Sequence, residues 1–277
     1  MRRIGLFGRL SREGVSEMVR AHREKLGKSY EVEVFDCEKD LPDDPGIELA
    51  VIMGGDGTIL GAARYLAPRG IPAVGVNLGR FGFLAGCVPE QCAAVVEGVK
   101  EGALKPVVRT MLSCRLPGGE ELTALNDVVI TSAVPTHMIG LGLSINNIEV
   151  SSIQGDGLIV ATATGSTAYN LSSGGPLVTP SEDVIVLNGL APHTLSIRPM
   201  VISGEDVVEA EVSGRDSGVA VTADGQVARE LASPAKVEVR RAPFEFRLYE
   251  SPDWSFYRVV RSKLRWGEEP NYAKDSD

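Results

Sequence analysis

The chain has 277 residues, 43% hydrophobic and 23% charged, the composition of a soluble globular protein with room for two modest domains. Its net charge of −9 gives no global basic field for nucleic acid, and no apolar run approaches the roughly 18 residues of a membrane span, so neither partner is expected. Four cysteines without a CxxC pair (Cys37, Cys87, Cys92, Cys114) and three scattered histidines argue against a zinc centre and for reduced thiols in a cytoplasmic protein.

The chain opens with a short apolar stretch after two arginines and no small-residue cleavage site, which reads as a first strand, Ile4–Gly8, rather than a signal peptide. Helical spacing over Val15–Leu26 follows, with Ser11 as the expected N-cap, then the two-residue alternation of Glu31–Asp36. Glu48–Met53 is a short, largely apolar run, Ile59–Leu66 is helical, Ile71–Asn77 is strand-like and Pro89–Glu101 is helical again. This alternation predicts an α/β domain with a parallel, Rossmann-like sheet over residues 1–107. Beyond Lys105-Pro106, β-branched runs separated by turn pairs such as Asn146-Asn147 and Asp224-Gly225 predict an all-β, sandwich-like domain over 108–240, interrupted by one short helix at Ser166–Ser173. Residues 241–277 hold Phe244, Phe246, Tyr249, Trp254, Phe256, Tyr257 and Trp266, and are expected to pack back on the α/β domain, with a loose polar tail after Trp266.

Two familiar signatures fail. Gly27-Lys28-Ser29 would need a first glycine at position 22, which is His22, and it leads into a strand where a P-loop opens a helix. Gly140-Leu141-Gly142 lacks a third glycine and opens no helix, and no GxSxG elbow occurs. Residues 54–58, GGDGT, are more informative. A strand, a glycine-rich turn and a helix start make a phosphate cradle, to which Gly54, Gly55 and Thr58 would belong. Asp56 in its middle would repel a phosphate charge about 4 Å away by roughly 1 kcal/mol in water and about 4 kcal/mol at an effective dielectric of 20. One reading is structural: the carboxylate complements the helix N-terminus, worth about 0.3–1 kcal/mol. The other is chemical: it takes a proton from a hydroxyl attacking the phosphate, or sits beside Mg²⁺.

Residues 155–176 are dense in hydroxyls and small residues, with Asp156, Thr164, Ser166, Thr167 and Tyr169. Ser166 or Thr164 capping a short helix explains part of this; a nucleoside pocket, with Tyr169 framing the base and small residues admitting the ligand, explains more. Asn126-Asp127 reads as a turn or as a pair holding ribose or amide groups, Asp224-Gly225-Gln226 as a hairpin turn, and His193 as a structural histidine.

Taken together, GGDGT (54–58), NLGRFGFL (77–84), Asn126-Asp127, GDGLIVATATGSTAYNLSSGGP (155–176), PHTLSIRP (192–199) and DGQ (224–226) resemble the NAD kinase family, in the family's order. GGDGT alone is shared with phosphofructokinases and diacylglycerol-type lipid kinases; the long second motif is far more specific. The resemblance implies phosphorylation of the adenosine ribose 2′-hydroxyl of NAD⁺ to NADP⁺, with ATP or polyphosphate as donor and Mg²⁺. It also implies a homo-oligomer, dimer or tetramer, whose NAD site lies near a subunit boundary. Carried over by position, Asp56 is the base. Gly57 and Phe83 line the nucleotide site, and Asn126 and Asp127 contact adenosine. Asp156, Thr167, Ala168, Tyr169 and Ser172 complete the pocket, with Asp224 at the DGQ position. The family usually has Pro at the position of Ala163 and often Glu at that of Asp127, and Arg80 is less usual in it. The rival readings are a GGDGT kinase of a lipid or sugar phosphate and a non-catalytic NAD sensor on the same scaffold. The only basic cluster suited to a membrane is Arg258, Arg261, Lys263 and Arg265, read as a solvated face, and a sensor has no use for Asp56.

Overall fold

The computed structural model describes residues 1–77, 81–134, 137–194, 196–213 and 218–267, so that Arg80 and the tail after Gly267 lie outside the described residues. Strands β1 (Arg3–Gly8), β2 (Glu31–Asp36), β3 (Leu49–Met53) and β4 (Ala73–Val76) alternate with helices α1 (Val15–Leu26), α2 (Asp56–Leu66) and α3 (Cys92–Lys100). The strands run parallel in the order β2-β1-β3-β4. Every residue of β3 is buried because helices cover both faces: α2 packs with Phe7, Ala50 and Ile52, while α1 and α3 pack with Leu6, Val51 and Met53. Ser11 does not cap α1. The helix is preceded by Gly14 in the left-handed region at φ 77° with no side-chain cap, three residues later than the serine would require.

The C-terminal half is built from β5 (Val107–Arg115), β6 (Glu121–Ala124), β7 (Asp127–Ser132), β8 (Ile139–Ile145), β9 (Ile148–Gly155) and β10 (Gly157–Thr162). A 3₁₀ turn at Thr164–Thr167 and one helical turn, α4 (Tyr169–Ser172), interrupt it in place of the single helix expected over Ser166–Ser173, the break falling at Ala168, whose φ −99° and ψ −131° are not helical. Neither Thr164 nor Ser166 caps them, since the N-cap positions fall on Ala163 and Ala168. Strands β11 (Val184–Leu190), β12 (Met200–Ser203), β13 (Val208–Ser213), β14 (Val219–Ala223), β15 (Val227–Leu231) and β16 (Ala235–Tyr249) follow, then helix α5 (Phe256–Leu264). One antiparallel sheet has the order β12-β11-β10-β7-β14-β15; it faces β16-β13-β8-β9 across a core that includes Val128, Ile130, Leu158, Val160, Val208 and Val237.

Strand β16 joins the halves. Its start pairs antiparallel with β13, and its end, Leu248 and Tyr249, pairs parallel with Ala73 and Val74 of β4. The α/β strands and half of the sandwich therefore form one ten-stranded sheet. The boundary expected after residue 240 falls inside this strand. A register shift between Arg241 and Glu245 turns it from one core to the other, so that Val237 and Val239 face the sandwich while Phe246 and Leu248 face α2. Phe246 is wholly buried at this joint. Phe246→Ala is expected to cost about 3–5 kcal/mol, read as a lowered urea midpoint with an unchanged slope.

Candidate functional site

The GGDGT turn leaves β3 and opens α2, with Asp56 as the first helical residue. Part of the expected cradle is already committed to the fold: the Gly54 N–H donates to the Val76 carbonyl at 2.9 Å and the Thr58 N–H to the Gly55 carbonyl at 2.9 Å. The Asp56 carboxylate accepts three backbone N–H bonds, from Phe83 at 3.2 Å, Leu84 at 3.1 Å and Ala85 at 3.2 Å. That grip needs Gly82, where a Cβ would stand 2.3 Å from the Asp56 carboxylate.

The second half of the site is organised by Asp224. With Gly225 it forms the β14–β15 turn, both residues having positive φ (53° and 62°), which Asp and Gly tolerate. The turn explains the sequence pattern but not the burial. The Asp224 carboxylate is fully enclosed and accepts N–H bonds from Leu125 (3.1 Å), Asn126 (2.7 Å) and Asp127 (3.4 Å). It also meets Arg64 Nη1 of α2 at 2.9 Å. Arg64 Nη2 donates to Gln226 Oε1 at 2.5 Å, and Gln226 Nε2 donates to the Gly57 carbonyl at 2.8 Å. Arg64, absent from the residues singled out in the sequence, and Gln226 thus clasp the GGDGT helix to the Leu125–Asp127 strap. Its only sequence signal is a basic residue about two helical turns after Asp56.

A cavity of about 430 Å³ opens beside the strap, lined by Asn126, Asp127, Ala168, Tyr169, Asp224 and Gly225 among others. Tyr169 is 49% exposed there, as a ring available to stack. A second cavity, of about 410 Å³, lies along α2 between Arg9, Thr58, Gly61, Arg64 and Gln226. The Asp224–Gln226 turn contributes to both.

Much of the hydroxyl-rich loop is structural. Ser166 Oγ donates to the Val178 carbonyl and accepts from its N–H, and Asn170 Nδ2 bonds the Ser166 and Pro176 carbonyls. The Thr167 hydroxyl donates to the Thr164 carbonyl at 3.1 Å. Gly165 admits the strap rather than a ligand, since a Cβ would lie 1.9 Å from the Asn126 carbonyl. Ser172 is exposed on α4 and does not line the cavity. Asp156 precedes β10, roughly 20 Å along the strand from Thr162, which bonds the Asn126 carbonyl; its neighbour Gly157 pairs with Thr131, which lines the other end of the cavity. The His193 backbone N–H donates to the Gln154 carbonyl at 2.8 Å, and the residue is exposed.

The carboxylates Asp127 and Asp224 share a buried space. Burial first, then the Asp224 charge, pushes Asp127 up to about 7. Burial raises Asp224 as well, but the three amides and Arg64 favour its charged form. Asp127 is therefore the member of the pair that takes the proton.

A glycine-rich turn carrying a carboxylate, tied to a nucleoside-sized cavity, is the arrangement of a small-molecule kinase. The family model for the ATP-NAD kinase N-terminal domain matches residues 11–104 and that for the ATP-NAD kinase C-terminal domain residues 125–251. An NAD kinase from Syntrophotalea carbinolica is 35% identical over 97% of this chain and 100% of its own. One from Aquifex aeolicus is 36% identical over 96% of this chain and 100% of its own. Among solved structures, an NAD kinase from Archaeoglobus fulgidus in complex with ATP superposes with a TM-score of 0.79 at 27% identity, covering 95% of this chain and 98% of its own. Yeast NADH kinase complexed with NADH gives 0.87 over 99% of this chain and 90% of its own; at 21% identity it shows the fold alone. The chain belongs to the NAD kinase family.

The Asp127 assignment has a stability consequence. A folded pKa near 7, above the ordinary 3.8, means the folded protein keeps a proton that the unfolded chain releases. This contribution is complete below pH 4 and lost as pH rises toward 7. Asp127→Asn removes it, so urea denaturation at pH 5 and pH 8 should show a smaller fall in stability between the two for the variant than for wild type.

Proposed function

We propose that this NAD kinase family member transfers a phosphoryl group to the adenosine ribose 2′-hydroxyl of NAD⁺, with Asp56 as the base that takes the hydroxyl proton. The carrying observation is the pairing of Asp56, fixed by three amides at the head of α2, with a cavity that is lined by Asn126 and Tyr169 and clasped to that helix by Arg64. Tyr169 and Ala168 frame the nucleoside, Asn126 supplies a polar side chain at its edge, and Asp127, in its neutral form, can donate as well as accept. Phe83, whose N–H grips Asp56, stands at the nucleotide side.

The donor is ATP or polyphosphate. The amides of Gly55 and Gly57 and the cation Arg9, which lines the cavity along α2, supply its electrostatic complement. Among the described residues no group of three or more His, Cys, Asp or Glu side chains could hold a metal ion. Mg²⁺ held mainly by donor phosphates would have one carboxylate, Asp56, at its edge, and would neutralise phosphate charge there. The retained Asp56 favours a kinase over an NAD sensor. No helix among the described residues is long and apolar enough to cross a membrane.

Asp156 enters this scheme from a second copy. It is exposed and is not among the residues lining its own cavity, and it follows β9, an edge strand with Val150 40% exposed and Ile148, at the strand's other end, 70% exposed. A homo-oligomer joined through this region would bring Asp156 to the NAD site of a neighbour. The four cysteines are free, with Cys87, Cys92 and Cys114 buried and pushed up to about 12 by that burial, in keeping with a reducing cytoplasm.

Wild type should form NADP⁺ from NAD⁺, ATP and Mg²⁺, measured with an NADP-specific dehydrogenase. Asp56→Asn should lower kcat about 10²–10⁴-fold while NAD⁺ binding changes little. Near-normal turnover with weakened binding would remove Asp56 from the role of base.

A further inference from the structure

The reaction scheme leaves one buried charge cluster unused. Arg109, on β5, is 0% exposed, yet its Nε and Nη1 groups have no hydrogen-bond partner among the described residues. Its Nη2 donates to the Glu250 carboxylate, and its guanidinium lies 5.7 Å from the centre of the Trp254 ring. As fold glue this is a poor choice, because a buried ion pair with unspent donors stabilises no better than a well-packed apolar replacement.

Its surroundings suggest what it serves. The loop from Gly82 to Gly86 is held between Asp56 and this cluster. On one side its amides grip Asp56, with Gly82 against the carboxylate. On the other side Trp254 Nε1 donates to the Gly82 carbonyl at 3.1 Å, and the Ser251 N–H donates to the Gly86 carbonyl at 3.1 Å. Gly86 lies against the same cluster: a Cβ there would be 3.0 Å from Glu250 Cγ and 3.3 Å from Trp254 Cδ1. Beyond the loop, the Phe83 ring meets Phe256 at 6.2 Å and has Lys263 Nζ 5.8 Å from its centre. The loop that grips the carboxylate is thus tied to a segment some 170 residues later in the chain, and the Asp56 charge in turn helps keep Arg109 ionised against its burial.

We infer that Trp254, Glu250 and Arg109 are positioning residues for Asp56, acting through the 82–86 loop that holds its carboxylate. The inference rests on the reading of Asp56 as base. Trp254 fixes the loop at Gly82, Glu250 supports it at Gly86, and Arg109 anchors both side chains from the floor of the sheet. A carboxylate displaced by about an ångström from its hydroxyl loses up to a hundredfold in rate.

Trp254→Phe keeps a ring over Arg109 and removes the N–H to Gly82; Glu250→Gln keeps the shape and removes the charge. Each is expected to lower kcat roughly ten- to a hundredfold with KM for NAD⁺ within about twofold. The decisive reading is a double-mutant cycle with Asp56→Asn. If Trp254 acts through Asp56, Trp254→Phe should slow the Asp56→Asn enzyme by less than about twofold, its effect having been removed with the carboxylate. The same factor in both backgrounds would overturn the inference, as would an unchanged kcat accompanied by a lowered melting temperature. An inactive wild type, or an Asp56→Asn enzyme as fast as wild type, would instead overturn the reading of the site on which this one rests.

Discussion

The buried Asp224 carboxylate is the joint on which both halves of the site depend. It satisfies three consecutive amides of the Leu125–Asp127 strap and meets Arg64 of the GGDGT helix, so the strap cavity and the GGDGT turn are set relative to each other by one side chain. An enclosed carboxylate is tolerable only when its lone pairs are filled by donors, and here four donors converge. Asp127 bears the consequence: next to that charge and out of water, it keeps a proton into the neutral range. Gln226 extends the joint to the Gly57 carbonyl, beside Asp56 itself.

The same division of labour runs through the fold. Strand β16 makes one sheet of two domains, bringing residues 250–264 beside the loop at 82–86. Phosphoryl transfer asks a protein for position and electrostatics more than for covalent chemistry, and this chain spends its unusual buried polar groups on position. Ser166 and Asn170 shape the hydroxyl-rich loop, Asp224 sets the strap, and the amides of 83–85 hold Asp56.

What the sequence made legible followed from local physics. The alternation of Glu31–Asp36, the 3.6-residue period of Val15–Leu26 and the turn chemistry of Asp224-Gly225 are all readable within one element, and each element stands where its pattern places it. Asp56 was legible because a charge in a phosphate cradle contradicts its setting. The loop at 155–176 was legible as a special segment but not in detail. Hydroxyls that bind a ligand and hydroxyls that staple a loop are chemically alike, and only coordinates separate Tyr169 from Ser166. The clasp of Arg64 to Asp224 and the burial of Arg109 join residues more than a hundred positions apart, for which a single sequence carries no periodic signal. The place of Asp156, at the opposite end of β10 from the Leu125–Asp127 strap, was hidden for the same reason: strand direction, not motif order, decides which end of β10 it occupies.

The central claim is that the Asp224 joint brings Asp56 and the strap cavity to the two sides of one ribose. A crystal structure of Asp56→Asn with NAD⁺ tests this most directly. The account predicts the nucleoside beside Asn126 and Tyr169, with the 2′-oxygen about 2.6–3.2 Å from the residue 56 side chain. A 2′-oxygen out of hydrogen-bond reach of residue 56, with NAD⁺ seated in that cavity, would contradict it.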